Sequence, residues 1–456
     1  MASNKIGLHW FRHDLRTLDN QALRKLSEHT DSQIGIFVFE DAWFEENEWG
    51  FKHLGSKRLA FIESALRDLR ERMQSMGSDL IIAKGNAVET INSLCQKNEI
   101  THISVEMHAG FNERKQLKSL QNGFNPAADS SAEDRLNAGE SGHSKAQTPV
   151  QFIIENSNYL YSVSDFPFSL ENMPDTFSPF RRKVEKYAEP RQSEGDLNNS
   201  NGKGKADFAL NLAKLDTSGI PDFELSSHEE LGKYAGGESA ALARLDEYFF
   251  ESDGIAEYKE TRNGLDGWEF SSRFSAFLAH GCISPSYIND RLKQYEREKV
   301  KNDSTYWLFF ELLWREFFHW QHIKHGAKLF SFAGIQNKTP DTSLNSEAFK
   351  SWREGDTGYD IVDACMKQLN ESGFMSNRGR QLVASCFVHE LGLDWRYGAA
   401  YFEQQLIDFD VASNWGNWQY LAGVGSDPRG HRQFNLQKQT DTYDPKRVFI
   451  NKWLHQ

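Results

Sequence analysis

Ile34-Gly35-Ile36-Phe37-Val38-Phe39 is an unbroken apolar run between polar flanks. Alternating polarity would mark a strand with one wet face. A continuous run marks a strand buried on both faces, as in a parallel sheet covered by helices. Upstream, Ile6-Gly7-Leu8-His9-Trp10-Phe11 reads as a second strand, and Asp19 is expected to cap a helix beginning Asn20-Gln21-Ala22-Leu23. Downstream, Leu59, Ile62, Leu66, Leu69, Met73 and Met76 recur at helical spacing. Then come Leu80-Ile81-Ile82, a helix near Ala87–Lys97 and the strand His102-Ile103-Ser104-Val105. Strands separated by helices predict right-handed crossovers and a Rossmann-like parallel α/β domain over residues 1–120, extended by a strand near 150–155. No G-x-G-x-x-G follows the first strand, so nothing there specifies a dinucleotide.

Residues 122–149, rich in Asn, Ala, Ser, Gly and acid, read as a flexible insert. Residues 156–237 read as an inter-domain connector, within which 191–206 resembles a flexible surface loop. From 238 to 456 the pattern turns helical, with segments near 240–250, 271–280, 285–299, 304–324, 359–371, 376–391, 395–407 and 413–421. The predicted architecture is α/β plus all-α.

Composition narrows the function classes. The chain of 456 residues is 39% hydrophobic and 26% charged, an ordinary globular balance. No run approaches the ~20 apolar residues of a membrane span, and Met1-Ala2-Ser3-Asn4-Lys5 opens no signal-peptide core. Cys95, Cys282, Cys365 and Cys386 form no C-x-x-C pair, so neither zinc framework nor disulfides are expected, and a cytoplasmic location is. The net charge of −13 is carried mainly by residues 1–230, with 26 basic and 35 acidic residues against 26 and 30 in the remainder. A basic patch therefore has room in the second half. Nine of the 12 tryptophans follow residue 267, more than a core needs, which points to a large aromatic cofactor or electron transfer.

Three clusters place polar groups where helices normally bury apolar ones. In Trp307-Leu308-Phe309-Phe310-Glu311-Leu312-Leu313-Trp314-Arg315-Glu316-Phe317-Phe318, Glu311 and Arg315 are i,i+4. They read either as an internal ion pair or as polar contacts to a buried ligand. The second cluster is Phe374-Met375-Ser376-Asn377-Arg378-Gly379-Arg380-Gln381. The third runs from Leu406-Ile407-Asp408-Phe409-Asp410 to Asn414-Trp415-Gly416-Asn417-Trp418. Two carboxylates in an apolar setting need partners, and Arg380 is available to Asp408. Asp-x-Asp resembles a magnesium site, but no phosphate-binding loop adjoins it, so no metal is assigned.

With Trp10-Phe11-Arg12-His13-Asp14-Leu15-Arg16, these clusters resemble the photolyase/cryptochrome family of blue-light flavoproteins, and most closely its DASH type. The resemblance runs from about Lys5 to the C-terminus, interrupted at 122–149. The DASH likeness rests on Tyr258-Lys259-Glu260-Thr261-Arg262-Asn263-Gly264, on Gln381, on Ser413–Tyr420 followed by Gly423-Val424-Gly425-Ser426-Asp427-Pro428-Arg429, and on Tyr443-Asp444-Pro445.

The resemblance implies FAD folded into a U within the helical domain. It implies binding by Tyr258, by Ser271-Ser272-Arg273-Phe274-Ser275 at the pyrophosphate, by Arg380 with Asp408, by Asp410 and Asn414 at the flavin ring, and by Glu311, Arg315 and Asn377. It also implies that Glu311, Asn377 and Gln381 touch a cyclobutane pyrimidine dimer, with Trp314 and Tyr420 as stacking walls. Arg262, Arg315, Arg378, Arg429 and Arg432 would meet DNA phosphates. Trp418 and Trp395 fall on the family's photoreduction chain, with Trp320 or Trp352 as a third member, although core packing is the favoured reading of Trp352. A folate-type antenna, methenyltetrahydrofolate or another dye, would lie near Glu106-Met107-His108-Ala109-Gly110-Phe111-Asn112-Glu113. The expected activity is light-driven repair of dimers, in single-stranded DNA, by a monomer. The alternative is a blue-light photoreceptor signalling through partners. The chain stops a few residues beyond Tyr443-Asp444-Pro445, without a long extension, which favours repair. A dark flavin oxidoreductase is disfavoured because no hydride-donor fingerprint is present.

Overall fold

The structure, a computed structural model, describes residues 4–124, 149–195, 206–226, 232–427 and 432–455. Most of the expected 122–149 insert, 196–205 of the expected surface loop, and Arg429 lie outside the described residues.

Strands β1 (Ile6–Phe11), β2 (Ser32–Glu40), β3 (Leu80–Gly85), β4 (His102–Glu106) and β5 (Gln151–Glu155) form one parallel sheet in the order β3-β2-β1-β4-β5. Residues Gln33 to Phe39 of β2 are all buried, as its continuous apolar run requires. Helices α1 (Gln21–His29), α2 (Ser56–Ser75), α3 (Ala87–Asn98) and α4 (Phe111–Phe124) cover the sheet. Ile34, Ile36 and Val38 pack with Ile91 and Leu94 of α3 and with Leu117 and Leu120 of α4. The alternate residues Phe37 and Phe39 pack with Leu23 of α1 and with Leu66 and Leu69 of α2. Because the strand order runs outward in both directions from β1, the loops leaving β1 and β4 flank a crevice at the sheet's carboxyl edge.

The helical half comprises α5 (Phe177–Tyr187), α6 (Glu238–Asp246), α7 (Tyr258–Thr261), α8 (Ser275–Ala279), α9 (Pro285–Glu298), α10 (Asp303–His325) and α11 (Ser346–Glu354). It continues with α12 (Asp360–Ser372), α13 (Asn377–Ser385), α14 (Trp395–Gln405), α15 (Val411–Leu421), α16 (Leu436–Tyr443) and α17 (Val448–Leu454). The longest, α10, starts at a reciprocal cap. Asn302 accepts from the N–H groups of Ser304 and Thr305, and Thr305 Oγ1 accepts from Asn302 N–H at 3.1 Å.

Two expectations change at the junction of the halves. The cap of α1 is Asn20, whose Oδ1 accepts from Leu23 N–H at 3.0 Å, and not Asp19. Asp19 instead takes a left-handed φ of 53° and accepts from Arg191 at 2.6 and 2.7 Å, from Glu194 N–H at 2.8 Å and from the Ser284 hydroxyl. Residues 191–194 are thus anchored, not a free loop. Residues 206–226, expected as connector, run back along the sheet. Ala213 N–H donates to Gln33 O at 3.0 Å, and Phe223 N–H donates to Ile82 O of the edge strand β3 at 3.1 Å.

The loop after β1 is the keystone. Buried Arg16 donates to Asn158 Oδ1 at 2.7 Å, to Ser157 Oγ at 2.9 Å and to Gly281 O at 3.0 Å. Glu238, at the start of α6, accepts from Thr17 N–H at 2.8 Å and Leu18 N–H at 3.1 Å. Gly281 has φ of 67°, and a Cβ there would overlap the His13 carbonyl oxygen, so only glycine lets the two backbones touch.

Candidate active site and cofactor pocket

Helix α10 is buried along most of its length, with Leu308, Leu312, Leu313, Phe317 and Phe318 in the core. Yet Trp307, Glu311 and Trp314, at i, i+4 and i+7, are half-exposed.

Glu311 does not pair with Arg315. Its carboxylate binds Arg262, whose guanidinium also lies 5.8 Å from the centre of the Trp307 ring. Burial raises the Glu311 carboxyl, and the Arg262 charge opposes that rise. Arg315 turns the other way, donating to Asn158 O at 2.9 Å and lying 3.6 Å from the buried Glu316. The i,i+4 rule describes one isolated helix, and here both long side chains find better partners off it. Arg315 is therefore an interior group facing the α/β half, not a surface contact to phosphate.

The rim continues through the next residue of the 258–264 segment. Arg378 donates to Asn263 Oδ1 at 3.1 Å and to Gln381 at 2.9 Å, and it lies over the Tyr443 ring at 4.6 Å. Ser376 caps α13 by accepting from Gly379 N–H at 3.1 Å, which sets exposed Asn377 at the helix start. Glu311 with Arg262, and Asn263 with Arg378 and Gln381, form two polar sets that meet where Arg262 and Asn263 are consecutive in the chain. Trp314 stacks on Phe177 with ring centres 3.7 Å apart and meets Tyr420 nearly at right angles, 6.0 Å away. The two residues expected as stacking walls form an aromatic corner. Arg432 lies over Tyr420 at 4.5 Å and binds Asp427.

Deeper in, Arg380 holds both oxygens of Asp408 at 2.7 and 2.9 Å and donates through Nε to Met375 O at 2.9 Å. Asp410 caps α15 by accepting from Ser413 N–H at 2.7 Å, and its other oxygen lies 2.9 Å from His319 Nε2. Burial opposes ionisation of Asp410, but His319 and Arg315 outweigh it and hold the carboxyl well below its ordinary value. Asn414, buried one turn on, donates to Ala399 O at 3.0 Å, which fixes its amide orientation. Ser271 and Ser272 sit on a loop whose carbonyls accept from Arg244 at 2.8 and 3.0 Å. Arg273 there adopts φ of 60°, binds Gly267 O and lies 4.2 Å over Phe374. Phe274 is core, Ser275 is exposed at the start of α8, and Tyr258 is buried.

The tryptophans fall into separate groups. Trp418 lies 6.1 Å from Trp352, and Trp395 lies 5.8 Å from Trp415. Trp320 packs elsewhere, against Tyr159 and Phe166, and donates to Glu316 at 3.1 Å. Trp415 and the Arg262–Glu311 contact were missed in the sequence, because neither follows from a spacing along one element. Glu106, at the start of the expected antenna segment, is engaged within the protein. It is buried and accepts from Ala22 N–H, Ser157 N–H and Ser157 Oγ at 3.0, 2.7 and 2.6 Å.

Comparison with known proteins decides the lineage. Residues 7–196 match the family DNA photolyase, and residues 307–456 match the FAD binding domain of DNA photolyase. The chain is 44% identical over 455 residues to the cryptochrome DASH of Idiomarina loihiensis, covering 99% of this chain and 93% of that one. It is 42% identical to that of Vibrio parahaemolyticus, covering 98% and 93%. This chain belongs to the photolyase/cryptochrome family, DASH type. Among solved structures it resembles a Synechocystis cryptochrome, with a TM-score of 0.86, 34% identity and coverage of 100% and 90%. A class III photolyase from Agrobacterium tumefaciens shares the fold at a TM-score of 0.79, 23% identity and coverage of 100% and 87%.

FAD is the cofactor this family domain takes, and the residues fit it. The Arg380–Asp408 pair and the oriented Asn414 amide supply charge and hydrogen-bonding groups. Among the described residues no helix is long and apolar enough to cross a membrane.

Proposed function

We propose that this chain is a blue-light-driven lyase that reverts cyclobutane pyrimidine dimers in DNA, with preference for single strands. The observation that supports it most is the pairing of Glu311 with Arg262 beside the Asn263–Arg378–Gln381 set, together with the Trp314–Tyr420 corner. Reduced FAD, when bound and excited, supplies the electron that opens the cyclobutane ring and recovers it afterwards. The protein's residues act on the lesion. The aromatic corner takes up the apolar faces of the flipped bases, and Glu311, Asn377 and Gln381 meet their polar edges. Arg262 keeps the Glu311 carboxylate in place against the ring system, so positioning is complete before light arrives. Arg380 with Asp408, and Asn414, hold the cofactor.

Single-strand preference follows from the arginines. Arg262, Arg378 and Arg432 are each engaged with protein side chains, which weakens their hold on phosphates. Extruding a dimer from a duplex costs a few kcal/mol, least for a strand already unpaired.

The test is repair of ultraviolet-damaged single- and double-stranded oligonucleotides under blue light, by wild type and Glu311→Gln. Gln keeps the shape while leaving Arg262 without its counter-charge. Fold and flavin content should survive while repair yield drops. A repair yield equal to wild type with flavin retained removes Glu311 from the site. No repair on either substrate by the photoreduced wild type leaves the photoreceptor reading.

A further inference from the structure

The indole N–H groups of the clustered tryptophans end on different acceptors. Trp352 donates to Val383 O at 3.0 Å, and Trp395 donates to Phe332 O at 3.1 Å. A backbone carbonyl accepts a hydrogen bond but does not take up a proton. Trp415 donates instead to Glu403 Oε2, at 3.2 Å, and a carboxylate is a base. Trp415 is 3% exposed, and its ring stands nearly at right angles to that of Trp395, 5.8 Å away.

The contact continues outward. Glu403 Oε1 lies 2.6 Å from Nδ1 of His53, a ring on the segment entering α2 that is 36% exposed. That segment is pinned to the end of α14, where Gly55 N–H donates to Gln404 O at 3.0 Å. A Cβ at Gly55 would overlap the same carbonyl oxygen, so the approach depends on glycine. Buried Arg58 donates to the His53 carbonyl and feels the Glu403 charge as well. The hydrogen bond to Glu403 raises the His53 ring above its ordinary value, against burial and the Arg58 charge. Indole, carboxylate and imidazole thus run from the interior to solvent, and both contacts are within reach for proton transfer.

Satisfying a buried N–H does not require this arrangement, because a carbonyl suffices at Trp352 and Trp395. Trp320 supplies a second contrast. It also donates to a carboxylate, but Glu316 is 0% exposed and its other partners are Leu160 N–H and Arg315, so no path leads out.

We propose that Trp415 is the terminal electron donor of the photoreduction chain, that Glu403 accepts its proton, and that His53 is the outlet to water. The inference rests on photoreduction through Trp395 and not on which lesion is repaired. The oxidant is the Trp395 cation left after an electron passes inward to bound, light-excited flavin. One electron moves from Trp415 to Trp395. Losing it makes the indole N–H a far stronger acid, so the Nε1–H bond breaks and its proton moves to Glu403 Oε2. Glu403 regains its charge as a proton reaches His53 Nδ1 and another leaves the exposed ring for water. A hole at Trp395 stays charged in an apolar interior, which is costly. At Trp415 it becomes a neutral radical, which slows the electron's return.

The test is flash photolysis of flavin-loaded wild type, Trp395→Phe, Trp415→Phe, Glu403→Gln and His53→Gln in H2O and D2O, with flavin content measured for each. In wild type the tryptophan transient should pass from cation to neutral radical, more slowly in D2O. Glu403→Gln keeps an acceptor for the indole but takes up no proton. Its cation should persist, and recombination should shorten the radical's lifetime at least roughly tenfold. Glu403→Asp should restore the isotope effect, Trp415→Phe should lose the neutral signal, and His53→Gln should delay the proton's arrival at a pH-indicator dye. Wild-type transients in Trp415→Phe or Glu403→Gln overturn the proposal. So does a wild type that shows no neutral radical, whatever the variants do. Undiminished photoreduction in Trp395→Phe overturns it by placing the chain elsewhere. Dimer repair by chemically reduced wild type is read separately, so a failure of the lesion reading appears there and not in the transients.

Discussion

Glu316 shows how much one buried carboxylate decides. It accepts from Leu160 N–H at 2.9 Å and from Trp320 Nε1 at 3.1 Å, with Arg315 beside it. Burial raises its pKa to about 7, against the opposing pull of Arg315 and the Leu160 N–H. The folded chain therefore holds a proton that the unfolded chain releases near pH 4.5. The sign is that of a raised acid: its contribution is most favourable below about 4.5 and is lost as pH rises through about 7. Glu316→Gln should remove that dependence. Between about pH 5 and pH 8 the mutant should gain up to about 3 kcal/mol relative to wild type, read as converging and then crossing melting temperatures. Parallel curves would show that Glu316 ionises freely. Some of this scale was legible in the sequence. The Arg380–Asp408 pair was anticipated because an interior carboxylate demands a cation. The partners of Glu311 and Arg315 were not, since both lie on other segments and no spacing encodes them.

At the scale of elements, periodicity located α2, α3, α9, α10 and α12 because each carries a long apolar stripe. Helices α11, α16 and α17 went unread. Each is short, and α11 buries only Phe349 and Trp352, too few positions to establish a period. The arrangement of helices also sorts the tryptophans. Trp418 on α15 meets Trp352 on α11, and Trp395 on α14 meets Trp415 on α15. Trp418→Phe should slow photoreduction severalfold while sparing repair by enzyme reduced chemically beforehand. Trp320→Phe, on the far side of α10, should leave photoreduction at the wild-type rate and lower the melting temperature. Flash photolysis of both variants checks this, and a loss of photoreduction in Trp320→Phe alone would reroute the chain.

At the scale of the molecule, the α/β plus helical plan was readable because patterning changes period near residue 238. The stacking of His13 on His108 was not, since the two rings are brought together only by the order of the strands their loops leave. Charge acts at this scale too. With a net charge of −13 and its rim arginines internally bonded, the chain should bind damaged single strands with a shallow salt slope of about −2, equivalent to roughly three phosphates at −0.7 each. Arg378→Ala should reduce that slope by about 0.7, measured by fluorescence anisotropy across a salt series. An unchanged slope would mean that Arg378 never meets the backbone. Asp19→Ala, which strands Arg191 at the junction, should cost about 3–5 kcal/mol and appear as a large fall in melting temperature.

The keystone loop after β1 carries a timing consequence. Thr17 and Leu18 leave the ribosome 221 and 220 residues ahead of Glu238, the carboxylate that satisfies their N–H groups. At ~5–20 residues per second, the nascent chain waits roughly ten to forty seconds for that partner. Arg16 must wait longer still, until the Gly281 carbonyl 265 residues away has been made. Throughout that interval a finished sheet would present an open carboxyl edge with buried-type charges exposed. Vectorial synthesis therefore cannot bank the first half as a completed unit. The sheet is held provisional until the helices arrive to close it, which makes the stretch of translation from Glu155, where the last strand ends, to Gly281 the period when this chain most needs a holding chaperone.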